Sequence, residues 1–362
     1  MQPFIPPAKP IIGDEEREAV DRVMRSGMLA QGPEVAAFER EFAEHFSLGR
    51  ACVAVNSGTS GQHLGLLACG VGPGDEVIVP SFTFAATANS VALTGATPVF
   101  ADIDADDFCL SHTAVEAAVT ERTVGIMPVH LYGHPAKMHR LTQVAERHGI
   151  QVFEDAAQAH GASLNGTPVG AFGSFAMFSL YPTKNMTSGE GGMVSVADPD
   201  IERLLRLYRN QGMEKAYHNE VVGLNNRMTD IHAAIGRVQL TKVDTWNEQR
   251  RRNAHFYSTH LEGVVTPTVA DGAVHVFHQY TVRVQDDRDG FAAALRDEHQ
   301  VGSGMFYPVP NHRLKPFDVD ADLPETERAA AECLSLPVHP SLTEGDLERV
   351  VAAVNSLVKA GV

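Results

Sequence analysis

Residues 179–192 read SLYPTKNMTSGEGG. One lysine, Lys184, sits between an apolar run (Phe172 to Leu180) and a Gly-Glu-Gly-Gly turn. Upstream, residues 151–159 read QVFEDAAQA and place Asp155 at the end of another short apolar run. Apolar runs of this length, bounded by turn residues, are strands of a buried sheet. The two segments therefore deliver a lysine from the loop after one strand and a carboxylate from the end of a preceding one. Taken singly, the lysine is equally a solvated loop residue and the aspartate a helix cap.

Working outward, the chain alternates. Ala51 to Val55, Glu76 to Pro80, Thr97 to Ala101, Val124 to Val129 and Gln151 to Phe153 read as strands. Helices are expected from about Gly61 to Cys69, Phe84 to Leu93 and Ala136 to His148. Continuous apolar strands alternating with helices predict an α/β fold, its mostly parallel sheet covered on both faces. Before this region lie a proline-rich arm, a helix from Asp14 to a Gly27 stop, and an amphipathic helix from Glu34 to Phe46. After it, Ile201 to Arg209 and one long stretch from Thr229 through Tyr257 read as helical. Beyond about residue 260 a smaller α+β lobe is expected, with a strand at Val274 to Val284 and helices at Asp289 to His299 and Thr343 to Val358. The boundary between the two falls near residue 246.

The 362 residues carry a formal net charge of −16, the opposite of the basic footprint that nucleic acid or an anionic membrane demands. A local basic pocket remains compatible with that total. Cys52, Cys69, Cys109 and Cys333 show no paired spacing, so free thiols in a reducing, cytoplasmic setting are expected. No secretory signal and no membrane-spanning apolar run is visible.

Four pieces fall after successive strands. Asn56 to Ser60 (NSGTS) joins a strand to a helix, where Gly58 permits close backbone approach and Thr59 and Ser60 add hydroxyl donors. Free amides at a helix N-terminus favour a phosphate, although an ordinary N-cap has the same residues. Phe84, in PSFTFAAT (residues 80–87), is placed to stack on a planar ring, or else to join the core. Asp155 and Lys184 complete the set, with Gln158 near a ring substituent and Ser179 in reach of the phosphate. In a parallel sheet these strand ends point to one edge, where ligands bind. Together they match the needs of pyridoxal 5'-phosphate (PLP): Lys184 for a Schiff base with its aldehyde, and Asp155 to keep the ring nitrogen protonated. His130 and His134 are four residues apart, but Gly133 and Pro135 exclude a helix there. No metal is expected at that pair, and His130 is read as a pocket residue.

With these segments in place, the chain resembles the DegT/DnrJ/EryC1/StrS family of PLP-dependent sugar aminotransferases. The likeness runs nearly full length, through GMLAQGPEVAAFE, NSGTSG, GDEVIVPSFTFAAT, PVHLYGHP, EDAAQAHGA, FSLYPTKNMTSGEGGM, GLNNRMTD, FHQYTVRV and LSLPVHP. It implies a PLP-dependent transferase of fold type I with a seven-stranded sheet. The large domain would span residues 1–245, arm included, and a small C-terminal domain residues 246–362. A homodimer with shared active sites is implied as well. By the same resemblance Lys184 is catalytic, Gly58, Thr59, Ser60 and Ser179 hold the phosphate, and Asn225 reaches the phosphate of the partner subunit. Arg227 in the same turn is a substrate candidate. Residues 307–316 read YPVPNHRLKP and are more polar than the family's usual segment. That departure makes Tyr307 and His312 substrate candidates, with Arg313 and Lys315 suited to the phosphates of a nucleotide-sugar.

The reaction implied is a two-step amino transfer, from glutamate to a keto-sugar that is nucleotide-linked, with pyridoxamine 5'-phosphate (PMP) as the intermediate form of the cofactor. Relatives with histidine at the lysine position are dehydratases, and this chain keeps lysine. A cyclitol ketone as acceptor, a sugar dehydratase and a non-catalytic sensor are the alternative readings.

Overall fold

The computed structural model describes residues 3–361. After the arm, α1 (Asp14–Ser26) stops at Gly27, whose φ of 72° is left-handed. Helix α2 (Pro33–His45) buries Val35, Phe38 and Phe42 on one face, the spacing of a helical stripe. Strand and helix then alternate through β1 (Ala51–Val55), α3 (Gly58–Ala68), β2 (Glu76–Pro80), α4 (Ala86–Leu93) and β3 (Thr97–Ala101). They continue with α5 (His112–Ala118), β4 (Thr123–Ile126), α6 (Met138–His148) and β5 (Gln151–Asp155). A small hairpin, β6 (Ser163–Leu164) with β7 (Thr167–Pro168), precedes β8 (Phe175–Ser179) and β9 (Gly192–Val196). Next come α7 (Pro199–Arg209), the projecting pair β10 (Met213–Lys215) and β11 (His218–Asn219), α8 (Asp230–Leu240) and α9 (Val243–His260). The last part holds β12 (Ala273–Val274), β13 (Tyr280–Arg283), α10 (Arg288–His299), α11 (Pro324–Glu332), β14 (Cys333–Leu336) and α12 (Glu344–Ala360).

Seven strands form one sheet in the order β1-β9-β8-β5-β4-β2-β3. It is parallel except for β9, which runs antiparallel to both its neighbours. Strands β2, β8 and β9 are buried at every residue, as a sheet covered on both faces requires. The smaller lobe pairs β13 with β14 and packs α9, α10 and α12 around Tyr257, Tyr280 and Phe291. Ile5 belongs to that core, and its backbone exchanges hydrogen bonds with Gln300 and Gly302 at 2.9 and 2.8 Å. The arm is thus sewn onto the lobe. No helix among the described residues is long and apolar enough to cross a membrane.

Two expected elements are divided. The stretch from Thr229 through Tyr257 is two helices, α8 and α9, because Lys242 turns back to ion-pair with Glu15 and Glu16 of α1 at 2.5 and 2.8 Å. No glycine or proline marks that break. The strand expected at Val274 to Val284 is split between the end of β12, at Val274, and β13. Val276 and Gln279 give their N–H groups to the carbonyls of Gly133 and Tyr132 instead, at 3.1 and 3.2 Å. Helix α3 begins three residues earlier than read, because Ser57 caps it by accepting from the Ser60 N–H.

One buried carboxylate fixes the frame. Glu154 in β5 accepts the N–H groups of Gly170, Phe172 and Gly173, each at 2.8 Å, and lies 3.1 Å from His130 Nε2. Burial alone would raise its pKa, but His130 and the amides of Gly173 and Gly170 bring it below the ordinary glutamate value. Glu154→Ala is therefore expected to cost about 3–5 kcal/mol of stability, measured by urea unfolding, since it orphans three amides and a buried imidazole together.

Candidate active site

A cavity of about 570 Å³ opens at the C-terminal edge of the sheet. Gly58, Thr59, Phe84, Asp155, Gln158, Ser179, Lys184 and Tyr307 of the expected set line it. Close backbone approach makes this possible. A Cβ on Gly58 would stand 3.1 Å from Met177 Sδ and 3.2 Å from Ser179 Cβ. A Cβ on Gly192, at the end of the GEGG turn, would come within 2.8 Å of the Ser57 carbonyl oxygen. Glycine at both positions lets the turn after β1 close against β8 and β9.

Asp155, buried at the end of β5, is held at both oxygens. Thr87 Oγ1 donates to Oδ2 at 2.8 Å and the Ala157 N–H to Oδ1 at 3.1 Å. Thr83 Oγ1 lies 3.2 Å from Thr87 Oγ1. Because Thr87 spends its hydrogen on Asp155, Thr83 is the donor in that second contact. Gln158 is fixed too: its Oε1 accepts the Tyr132 N–H at 2.7 Å and its Nε2 donates to the Tyr307 hydroxyl at 3.1 Å. Phe84 is 60% exposed, its ring centroid 6.1 Å from that of Tyr307. An aromatic face left so open at a cavity mouth is available to a flat ligand.

Burial lowers the Lys184 pKa from 10.5 to about 8, although the charge of Asp155 pulls it upward. Two imidazoles stand nearby without charge. Burial brings His160 down to about 3 and His278 well below its usual value, and Lys184 opposes protonation of both. His278 lines the cavity.

The residues fit PLP on a direct observation. The N–H groups of Gly58 and Thr59, in the first turn of α3, donate to no acceptor among the described residues, so the helix end has two free amides for a phosphate. Thr59 and Ser179 add hydroxyls. Ser60 does not line the cavity; its hydroxyl lies 2.9 Å from that of Ser57 in the cap.

Other expected residues lie elsewhere. His130 is fully buried between Glu154 and the Ala136 N–H, 3.0 Å from its Nδ1, and does not reach the cavity. His134 is spent on the Pro135 carbonyl and the Ala270 N–H. His312 bridges Ser81 Oγ at 2.7 Å and Glu327 at 3.0 Å, also outside the cavity. Both histidines read as pocket residues are thus structural, because a carboxylate that the sequence leaves distant meets each ring. Arg313 pairs with Glu327 at 2.9 Å rather than standing free for a phosphate. Asn225 is exposed and bridged to Asn210, while Arg227 donates to Asn210 at 2.8 Å and pairs with Val55 at the end of β1; neither lines this cavity. The sequence reading missed Thr87 and His278. Thr87 was legible in principle, one helical turn after Phe84 in the same segment.

A profile described as the DegT/DnrJ/EryC1/StrS aminotransferase family matches residues 10–355. A pleiotropic regulatory protein of Geobacillus stearothermophilus is 43% identical over 350 residues, 94% of this chain and 93% of that one. The UDP-N-acetyl-3-dehydro-alpha-D-glucosamine 3-aminotransferase of Acidithiobacillus ferrooxidans is 40% identical over 346 residues, 94% and 93% of the two chains. The crystal structure of S. venezuelae DesV in complex with a ketimine intermediate superposes with a TM-score of 0.91 at 40% identity, covering 96% of this chain and 95% of that one. Other structures of this fold are solved with PLP or PMP bound.

Capture of PLP by apo-protein requires the neutral Lys184 amine, so its rate should rise with pH to a half-maximum near 8 rather than 10.5. The unfolded chain binds the extra proton between those values, so the stability of the apo-protein should also climb over that interval. Absorbance of the bound cofactor and chemical denaturation measure the two.

Proposed function

The chain belongs to the DegT/DnrJ/EryC1/StrS aminotransferase family, and from that premise we propose that it moves an amino group from glutamate to a nucleotide-linked keto-sugar. It is a PLP-dependent aminotransferase. The observation that carries the reading is a lysine of lowered pKa facing a doubly held carboxylate in one cavity, beside a helix end with free amides.

When bound, PLP supplies the electron sink for a carbanion beside nitrogen. This chain's residues then do the rest. The amides of Gly58 and Thr59, with the Thr59 and Ser179 hydroxyls, would hold the PLP phosphate. Asp155, aligned by Thr87, would keep a proton on its pyridine nitrogen. Phe84 would stack on the ring, and Gln158, fixed by Tyr132, would lie near the ring hydroxyl. Lys184 Nζ, free as a neutral amine, would take the proton from the donor's α-carbon as general base and give one back as general acid. Tyr307 stands on the acceptor side.

We also propose a homodimer. Tyr217 and Val222, in the segment between α7 and α8, are 94% and 96% exposed, two apolar side chains available to a second copy. Asn225 follows in the same segment and would reach the phosphate site of a second copy. A division near residue 246 is supported by α9, whose Val243 joins the core beneath the sheet while Ala254 and Tyr257 join the core of the smaller lobe. Four unpaired cysteines support a cytoplasmic location. The regulatory relative keeps a ligand-sensing role as the second reading.

Three measurements test these statements. A screen of keto-sugar nucleotides and cyclitol ketones with glutamate, read by mass spectrometry, should give an amino-sugar product; absence of any glutamate-dependent turnover favours the sensor. Lys184→Ala should abolish turnover while PLP still binds through its phosphate. Sedimentation should report a dimer for the wild type, and a monomer with weaker cofactor retention for Tyr217→Asp combined with Val222→Asp.

A further inference from the structure

Helix α3 meets the cavity through Gly58, Thr59 and Gln62, and Gln62, four residues after Gly58 and three after Thr59, shares a helical face with both. Gln62 is 1% exposed, and neither its Nε2 nor its Oε1 has a hydrogen-bond partner. A buried primary amide with both ends unsatisfied is costly and rare. Helical side chains lean toward the N-terminus and cover the preceding turn, so a side chain at position 62 overlies the Gly58–Thr59 turn. That turn carries the two free N–H groups.

We propose that Gln62 is an additional phosphate-binding residue, its Nε2 donating to the phosphate ester that the first turn of α3 receives. This rests on the reading that the cavity takes PLP. The amide contributes two donors and no charge, so it strengthens the phosphate site without adding a cation near Lys184.

The test uses full-length apo-protein titrated separately with PLP and with pyridoxal, which has the same aldehyde and ring but no phosphate. Gln62→Met keeps the length of the side chain and removes its donors. It should weaken PLP binding about tenfold, leave pyridoxal binding unchanged, and melt in the apo form at or above the wild-type temperature. Gln62→Glu, isosteric and anionic, should weaken PLP binding further with pyridoxal again unaffected, and it carries the test alone if the methionine variant fails to fold. Unchanged PLP affinity, or equal losses for PLP and pyridoxal, would overturn the assignment while leaving the cofactor reading intact. A wild-type protein that takes up neither compound overturns both.

Discussion

Strand β5 ends in two adjacent carboxylates, and extended backbone sends them to opposite faces of the sheet. Glu154 goes into the protein, where it gathers three loop amides and His130. Asp155 goes to the cavity, where Thr87 and the Ala157 amide hold it. Neither role tolerates a slip, because moving β5 by one residue would exchange the two side chains. The backbone of Asp155 is pinned as well, between the carbonyl of Pro128 and the N–H of His130. The reactive lysine inherits this register. Asp155 pairs with Met177 in β8, Lys184 follows β8 by a short loop, and the position of one fixes the reach of the other.

Most of the sheet and much of the cavity were legible in the chain. β1, β2 and β3 lie where their apolar runs place them, since a strand buried throughout, as β2 is, is spelled out in its own residues, and the edge strand β3 still keeps its buried end at Phe100 and Ala101. The pieces at the sheet's C-terminal edge were legible for the same reason: each follows its strand directly. What escaped depends on partners distant in sequence. His130 and His312 look alike to His278 in a string of letters. Only folding brings Glu154 to the first and Glu327 to the second, 24 and 15 residues away, and leaves His278 facing the cavity. The break between α8 and α9 is likewise written in a lysine and two glutamates more than 200 residues apart, of which the buried one lies 226 positions from Lys242. Thr87 escaped differently. A threonine in the first turn of a helix has an ordinary use as a helix residue, and its hydroxyl becomes special only because β5 ends 2.8 Å away.

The cavity's charge pattern follows from the same burial. A chain of net charge −16 must receive a phosphate dianion beside Asp155. Cations at the cavity wall are one solution, but each would pull on Asp155 and press Lys184 further toward its neutral form. Here the wall is largely uncharged. His278 stays neutral because it is buried and because Lys184 and Arg250 oppose its protonation; His160 is neutral for the first two of these reasons. On the proposed reading the phosphate end would be met by amides and hydroxyls, whose partial charges are oriented by the helix and cost no desolvated cation. Asp155 therefore has one mobile positive partner within the described residues of its cavity, Lys184. When that amine gives up its proton, the ring nitrogen of the proposed cofactor would be the natural recipient of the carboxylate's field. The separation of tasks, dipoles for the anchor and ions for the chemistry, lets Lys184 change protonation state without loosening the hold on the phosphate.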